Sequence, residues 1–306
     1  MRVLVTGGAG FLGSHLVDEL VDRGDDVIAF DNMRRGSPAN IAGHLASGAV
    51  RLVIGDVRNV EDVETAIEGA ELVYHLAAQS NVMSAVADAD YSFHTNVVGT
   101  YNILEAAKSC GVRRVIFSSS REVYGEPAEI PVPETAPTAP KNPYGASKAA
   151  GETYCGVWSS AALEVQVLRF ANIYGPRDRE RVIPTWMERA LAGEPLELYG
   201  GEQIIDFIWV GTAVEALIAA ARLRQTSSAI NVGSGVGTRL HDLADRILEM
   251  TGDVSKKALL PSRTPEVARF VADVRRLRSV LGIEPDRDPL GHLDRLLKEN
   301  LVRGRP

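Results

Sequence analysis

Tyr144 and Lys148 stand four residues apart in Pro143-Tyr144-Gly145-Ala146-Ser147-Lys148. On a helix that opens at Tyr144, this spacing turns both side chains the same way. A free tyrosine titrates near pH ~10, and a nearby ammonium stabilises its phenolate, which would make it a proton acceptor for an alcohol. Such a pair alone is common on solvated helices, so its surroundings decide its meaning. Upstream, Ser118-Ser119-Ser120 closes an apolar run. A hydroxyl at this strand end can hydrogen-bond the reacting oxygen and relay its proton to Tyr144, while Ser119 reads as a local backbone cap.

The second chemical signal is Thr6-Gly7-Gly8-Ala9-Gly10-Phe11-Leu12-Gly13, between an apolar strand and an amphipathic helix. It contains G-x-x-G-x-x-G (Gly7, Gly10, Gly13) and G-x-G-x-x-G (Gly8, Gly10, Gly13). A tight glycine turn brings the backbone close to a pyrophosphate, and Phe11, Leu12 and Gly13 open a helix whose free N–H groups favour an anion. Asp31 ends the second strand, where its carboxylate suits ribose hydroxyls and repels a 2′-phosphate. The expected cofactor is therefore NAD, although Arg34 and Arg35 lie close enough in sequence to pair with such a phosphate. Asn32, Arg34 and Gly36 continue this edge of the site. Asp56-Val57 follows the third strand and Leu76-Ala77-Ala78 the fourth, both placed to flank the dinucleotide. With NAD bound, Tyr144 would accept a hydroxyl proton while the nicotinamide accepts hydride from the same carbon, Lys148 also holding the nicotinamide ribose.

These residues need a scaffold that collects strand ends. Apolar runs at Val3–Val5, Val27–Phe30, Arg51–Ile54, Leu72–Leu76, Arg114–Ser118 and Glu164–Phe170 alternate with helical patterns at Gly13–Arg23, Val60–Glu68, Tyr91–Cys110 and Tyr144–Trp158. This alternation implies an α/β fold, a Rossmann-like doubly wound parallel sheet, with ligands beyond the carboxyl ends of its strands. Residues 1–170 read as the NAD-binding domain and 171–306 as a smaller C-terminal substrate-binding region. Within the latter, Asp206–Val210 and Ala229–Val232 read as strands returning to the main sheet.

The 306 residues carry a net charge of -7, which speaks against nucleic acid as a partner because no basic excess exists to meet a phosphate backbone. No apolar run reaches membrane-spanning length. The two cysteines, Cys110 and Cys155, suggest neither a disulfide framework nor a zinc site, and no metal is expected. The first strand begins at once, leaving no room for a leader, so the expected location is the cytoplasm.

Taken together, the chain resembles an extended short-chain dehydrogenase/reductase of the NAD-dependent epimerase/dehydratase family. The matching segments are TGGAGFLGSHLVDEL, FDN at Asp31, GDV at Asp56, HLAA, NVVGT at Asn96, FSSSREVYG, PYGASK, RFANIYGPR and NVGSG, in family order over most of residues 1–235. The resemblance implies a Ser120–Tyr144–Lys148 catalytic set, with Asn96, Ser118 and Phe170 joining the cofactor residues. It implies a UDP- or thymidine-linked sugar, oxidised at C4 to a transient ketone, and a homodimer paired through the Tyr91–Cys110 and Tyr144–Trp158 helices. Ser120, Arg121, Asn172, Arg179, Val182, Ile183, Tyr199 and Arg263 are the implied substrate residues.

Departures from the family pattern narrow the reaction. Dehydratases carry Asp-Glu before Val-Tyr-Gly; here Arg121-Glu122 replaces it, removing the acid. Glu122 resembles the decarboxylases, but their usual Arg before an aromatic strand is Ile205, with Arg269 as a compensating cation. Tyr174-Gly175-Pro176-Arg177-Asp178-Arg179 resembles UDP-glucuronate 4-epimerases, whose second Arg meets the sugar carboxylate; by that match it is Arg179, although mixed charges in such a run also suit a solvated loop. The expectation is a UDP-sugar 4-epimerase, UDP-glucuronate/UDP-galacturonate ahead of UDP-glucose/UDP-galactose. A UDP-glucuronate decarboxylase, another sugar-nucleotide oxidoreductase and a non-catalytic NAD sensor are the alternatives; the sensor reading must explain why both Tyr144 and Lys148 are present.

Overall fold

Val3, Leu4 and Val5 are all fully buried, which a strand achieves only when both faces of its sheet are covered. The computed structural model describes residues 1–223, 228–252, 254–263 and 265–303. Its central sheet uses β1 (Arg2–Thr6), β2 (Asp26–Asp31), β3 (Val50–Ile54), β4 (Leu72–His75), β5 (Arg114–Ser120) and β6 (Glu164–Phe170). Connecting them are α1 (Phe11–Asp22), α2 (Ala42–Ser47), α3 (Val60–Ile67), α4 (Val82–Ala87), α5 (Ala89–Phe93), α6 (Gly99–Ser109) and α7 (Pro143–Trp158). The later elements are β7 (Asn172–Tyr174), α8 (Val182–Leu191), β8 (Leu196–Tyr199), β9 (Ile204–Trp209), α9 (Val210–Ala221), β10 (Ile230–Val232), β11 (Gly237–Arg239), α10 (Leu240–Met250), β12 (Lys257–Leu260), β13 (Arg269–Phe270), α11 (Arg275–Leu281) and α12 (Leu293–Arg303).

The main sheet has the order β10-β6-β5-β4-β1-β2-β3, every pairing parallel. This is the Rossmann-like doubly wound fold expected from the alternating pattern. Successive residues of one strand serve opposite layers. Val3 and Val5 pack with Leu16, Val17, Ala213 and Leu217 of α1 and α9, whereas Leu4 packs with Val63, Ile67, Ile103 and Leu104 of α3 and α6. A third cluster, including Ile183, Trp186, Phe207, Leu243 and Leu293, forms the smaller core beyond the strand ends.

Two local expectations are corrected. Asp206–Val210 does not return to the main sheet: β9 pairs with β7, β11 and β13 in a separate sheet, while β10 pairs with β6. The Tyr91–Cys110 helix is not one regular helix; π-helical His94–Val98 lies between α5 and α6. Thr264, inside the Pro261–Pro265 loop, lies outside the described residues. Among the described residues no helix is long and apolar enough to cross a membrane.

A buried polar seam fixes the upper ends of β1 and β4. His75 Nδ1 lies 2.8 Å from Thr6 Oγ1 and its Nε2 3.0 Å from Thr100 Oγ1. Thr6 Oγ1 also accepts the backbone N–H groups of Leu76 and Ala77, each at 3.1 Å. Burial pushes His75 down to about 3, so between that value and the ordinary ~6.5 the unfolded chain binds a proton that the native state refuses. Stability therefore falls as pH falls through this window, by up to about 1.4 kcal/mol per pH unit from this group. Urea denaturation at pH 7 and pH 5 should show a larger loss for the wild type than for His75→Gln; equal losses would refute the assignment.

Candidate active site

The carboxyl ends of the main sheet open into a cavity of about 600 Å³. Its dinucleotide half starts at the β1–α1 turn. A Cβ on Gly13 would lie 2.0 Å from the Gly7 carbonyl oxygen, so only glycine permits this closure. The first turn of α1 has neither a capping side chain nor an acid, and Gly7, Gly10, Phe11, Leu12 and Gly13 all line the cavity. Its unpaired N–H groups are left for an anion.

Asp31 lines the same space and is buried. It accepts the N–H groups of Ala9 and Met33 at 3.1 and 2.9 Å, which oppose the upward push of burial on its carboxyl. Arg34 stacks 3.7 Å above the Tyr91 ring, while Arg35 binds Ser80 at 2.8 Å and Glu180 at 2.8 Å. Both guanidinium groups have partners other than a ribose phosphate, and the carboxylate at β2 repels one. An NAD-sized dinucleotide thus fits this half: glycine turn at the pyrophosphate, Asp31 at the ribose. Asn32, Gly36, Val57, Leu76, Ala77, Ala78, Ser118 and Phe170 line it as well.

Asp56 and Asn96 do not line it. Asp56 accepts Asn32 Nδ2 at 2.9 Å and is paired with Arg58 at 2.8 Å; despite partial burial, these contacts hold its carboxyl down at about 2. Asn96, fully buried in the π-helical turn, accepts Gln79 N–H at 2.8 Å and donates to Ser147 Oγ at 2.8 Å. These bonds tie the β4 loop to α7.

The reaction half is built by α7 lying against β5. Asn142 caps α7, accepting Gly145 N–H at 2.8 Å. A Cβ on Gly145 would stand 2.4 Å from the Glu122 carbonyl oxygen, so glycine allows this approach. Ser120, Tyr144 and Lys148 are all buried and line the cavity. The Ser120 hydroxyl accepts Glu122 N–H at 3.2 Å. Lys148 Nζ donates to the Ser118 carbonyl at 2.7 Å, and burial lowers its ammonium to about 8. Burial raises the Tyr144 phenol, against the pull of Ser120 and of the Arg181 and Arg121 charges. The lowering expected from Lys148 is not seen in this arrangement, where burial dominates. Ser119 is no backbone cap: its hydroxyl donates to Glu152, which is paired with Arg169 at 2.7 Å.

At the substrate end, Arg121, Asn172, Arg179, Val182, Tyr199 and Arg263 line the cavity. Arg121 Nε donates to Asn172 Oδ1 at 2.6 Å. Arg263 stacks 3.4 Å above Tyr199. Ile183 does not reach the cavity; it is fully buried in the small core, because α8 starts at Val182 and turns the next residue inward. Arg269 is exposed on β13, away from the cavity, and cannot replace the missing cation at Ile205, which lines the cavity.

Sequence reasoning missed several groups. Arg181 lies 5.4 Å from the Phe11 ring centroid and faces Tyr144 electrostatically, whereas Arg179 is exposed. Arg189 joins the cavity beside Glu197, paired at 3.0 Å. Glu180 was also missed; it pairs with Arg35, considered above only as a phosphate partner, and so bridges the two halves. A charged loop has no periodicity to reveal such directions.

The profile of the NAD dependent epimerase/dehydratase family matches residues 3–233. A putative UDP-glucose 4-epimerase of Methanocaldococcus jannaschii is 35% identical over 309 residues, covering 98% of this chain and 96% of its own. The UDP-glucose 4-epimerase of Thermotoga maritima, solved with UDP-glucose, has a TM-score of 0.93 at 32% identity, with 100% of each chain covered. The UDP-glucuronic acid 4-epimerase of Bacillus cereus, solved with UDP-glucuronic acid and NAD, has a TM-score of 0.91 at 26% identity, covering 98% of this chain and 100% of that one.

The glycine turn generates a direct prediction. Gly13→Ala should weaken NAD binding to nucleotide-stripped protein at least about tenfold, or about 1.4 kcal/mol, since its methyl group must displace the Gly7 carbonyl. Isothermal titration checks this; an unchanged Kd would show that the turn does not hold the dinucleotide.

Proposed function

We propose, from the premise that this chain belongs to the NAD-dependent epimerase/dehydratase family, that it is a UDP-sugar 4-epimerase acting preferentially on UDP-glucuronate and UDP-galacturonate. The observation that carries the reaction is that Ser120, Tyr144 and Lys148, all buried, line the same cavity as the glycine turn, with Lys148 fixed on the Ser118 carbonyl at 2.7 Å. Residues 1–170 hold NAD, and the region from 171 onward supplies most of the sugar-nucleotide contacts.

NAD, held by the glycine turn and Asp31, would supply a reversible hydride acceptor for C4 of the sugar. Tyr144, as its phenolate, accepts the C4 hydroxyl proton, through Ser120 or directly. Ser120 orients the C4 oxygen. Lys148, fixed by the Ser118 carbonyl, places a positive charge that stabilises the Tyr144 phenolate before it takes the proton, and would also hold the nicotinamide ribose. Return of hydride to the other face of a rotated ketone would invert C4. The same side chains then return the proton, so no net oxidation occurs.

Two features support the uronate. Arg179 lines the cavity and is exposed, leaving its guanidinium available for a carboxylate. Arg121 lines it too, with a buried Nη1 that has no hydrogen-bond partner among the described residues. Asn172, Val182, Tyr199 and Arg263 hold the nucleotide end, and Arg189 adds a cation there. The active unit is a homodimer paired through α6 and α7. Their outer faces expose Tyr101, Tyr154 and Val157 beside Trp158, and the three aromatic rings pack against one another.

UDP-glucuronate should be converted to UDP-galacturonate without accumulation of reduced cofactor, and faster than UDP-glucose is epimerised. Tyr144→Phe should retain NAD and lose about 10²–10⁴-fold in kcat. Chromatography of the products checks both; full activity in Tyr144→Phe would remove the proposed base. Light scattering should give twice the 33.0 kDa chain mass, and a monomer would remove the pairing.

A further inference from the structure

Beside Ser120 and Tyr144 lies a buried ion pair that hydride transfer does not require. Arg121 Nη2 stands 3.0 Å from Glu122 Oε1, with side chains 10% and 5% exposed. The other carboxylate oxygen of Glu122 accepts Asn142 Nδ2 at 2.7 Å. Arg121 Nε is engaged by Asn172, and Nη1 alone is left without a partner. Both residues line the cavity. A buried ion pair is weak evidence for stability, because desolvation offsets the attraction. Its position suggests a chemical use.

A C4 ketone makes its neighbours labile. If C5 carries a carboxylate, the intermediate is a β-keto acid. Its C5–C6 bond can break, sending the electron pair into the C4 carbonyl as an enolate while carbon dioxide leaves. The enolate is completed by a proton delivered to C5. A neutral carboxyl group close by would supply that proton and make the loss irreversible.

We infer that Arg121 is the residue that keeps this branch closed. With Asn142 it occupies both Glu122 oxygens with donors, so Glu122 presents no O–H towards C5. Its free Nη1–H meets the C5 substituent and holds it in place. Without the guanidinium, Glu122 Oε1 loses its donor and is free to carry a proton to C5, becoming the missing acid. The pair thereby determines that the ketone waits for hydride to return. This inference rests on the uronate-epimerase reading above.

The experiment follows products from UDP-glucuronate with the NAD-loaded full chain, measuring carbon dioxide and UDP-pentose beside UDP-galacturonate. Wild type should yield the epimer. Arg121→Ser should raise the pentose fraction at least tenfold, and adding Glu122→Gln to it should remove the pentose again. Arg121→Met preserves much of the buried stem and replaces Arg121→Ser if that variant does not fold. A folded, NAD-retaining Arg121 variant that makes only the epimer, at whatever rate, overturns the inference alone. So does pentose that persists in the double variant. Wild type that leaves UDP-glucuronate unchanged, or that itself makes mainly pentose, removes the uronate-epimerase reading and the inference with it.

Discussion

A buried ammonium is expensive to desolvate, and Lys148 is 2% exposed. Its compensation is the Ser118 carbonyl at 2.7 Å, with the Phe117 ring centroid 4.9 Å away. Both partners belong to β5, so the charge can be buried only if α7 lies where it does. That placement brings Tyr144 to Ser120, one strand residue pair beyond Ser118. Gly145 and the Asn142 cap remove the steric and hydrogen-bond obstacles to it. Asn96 then braces α7 from the other side through Ser147. The reacting groups thus sit on rigid elements, as precise positioning demands.

The dinucleotide and sugar-nucleotide halves are also tied electrostatically. Arg177 pairs with Asp18 of α1 at 2.8 Å, and His15 Nε2 lies 2.8 Å from the Pro176 carbonyl. Together with Arg35–Glu180, these contacts fasten the 176–180 loop to the first half. Most cations around the cavity already have acidic partners: Arg181 has Asp178, Arg189 has Glu197, and Arg263 has Glu266 at 3.6 Å. A substrate diphosphate therefore enters a balanced site and must compete with carboxylates for these guanidinium groups. This differs from a strongly basic groove and agrees with the chain's net charge of -7.

Much of the first half was legible because local chemistry constrained it. Strands buried on both faces appear as continuous apolar runs, the glycine turn has one sterically sensible use, and Asp31 must follow β2. Elsewhere, direction depends on distant partners. The Ile204–Trp209 run reads as a buried strand, but its sheet is chosen by pairing with Asn172–Tyr174, Gly237–Arg239 and Arg269–Phe270. The π-helical turn redirects Asn96 inward, against a regular helical period. Arg179 and Arg181 could not be ranked from their sequence because Arg177, with φ at 68°, reverses the local course of the loop. The Arg121–Glu122 pair was visible as adjacent residues, whereas Asn142 as a second donor required the fold.

In the proposed reaction one tightly held nicotinamide would take hydride from C4 and return it to the same carbon. The most direct measurement uses UDP-glucuronate labelled with deuterium at C4, in ordinary water, followed by mass and magnetic-resonance analysis of the recovered sugars. Retention of essentially all deuterium at C4 of the UDP-galacturonate product, without transfer to added free NAD, is the predicted result. Loss of the label to solvent during epimerisation would contradict the hydride mechanism.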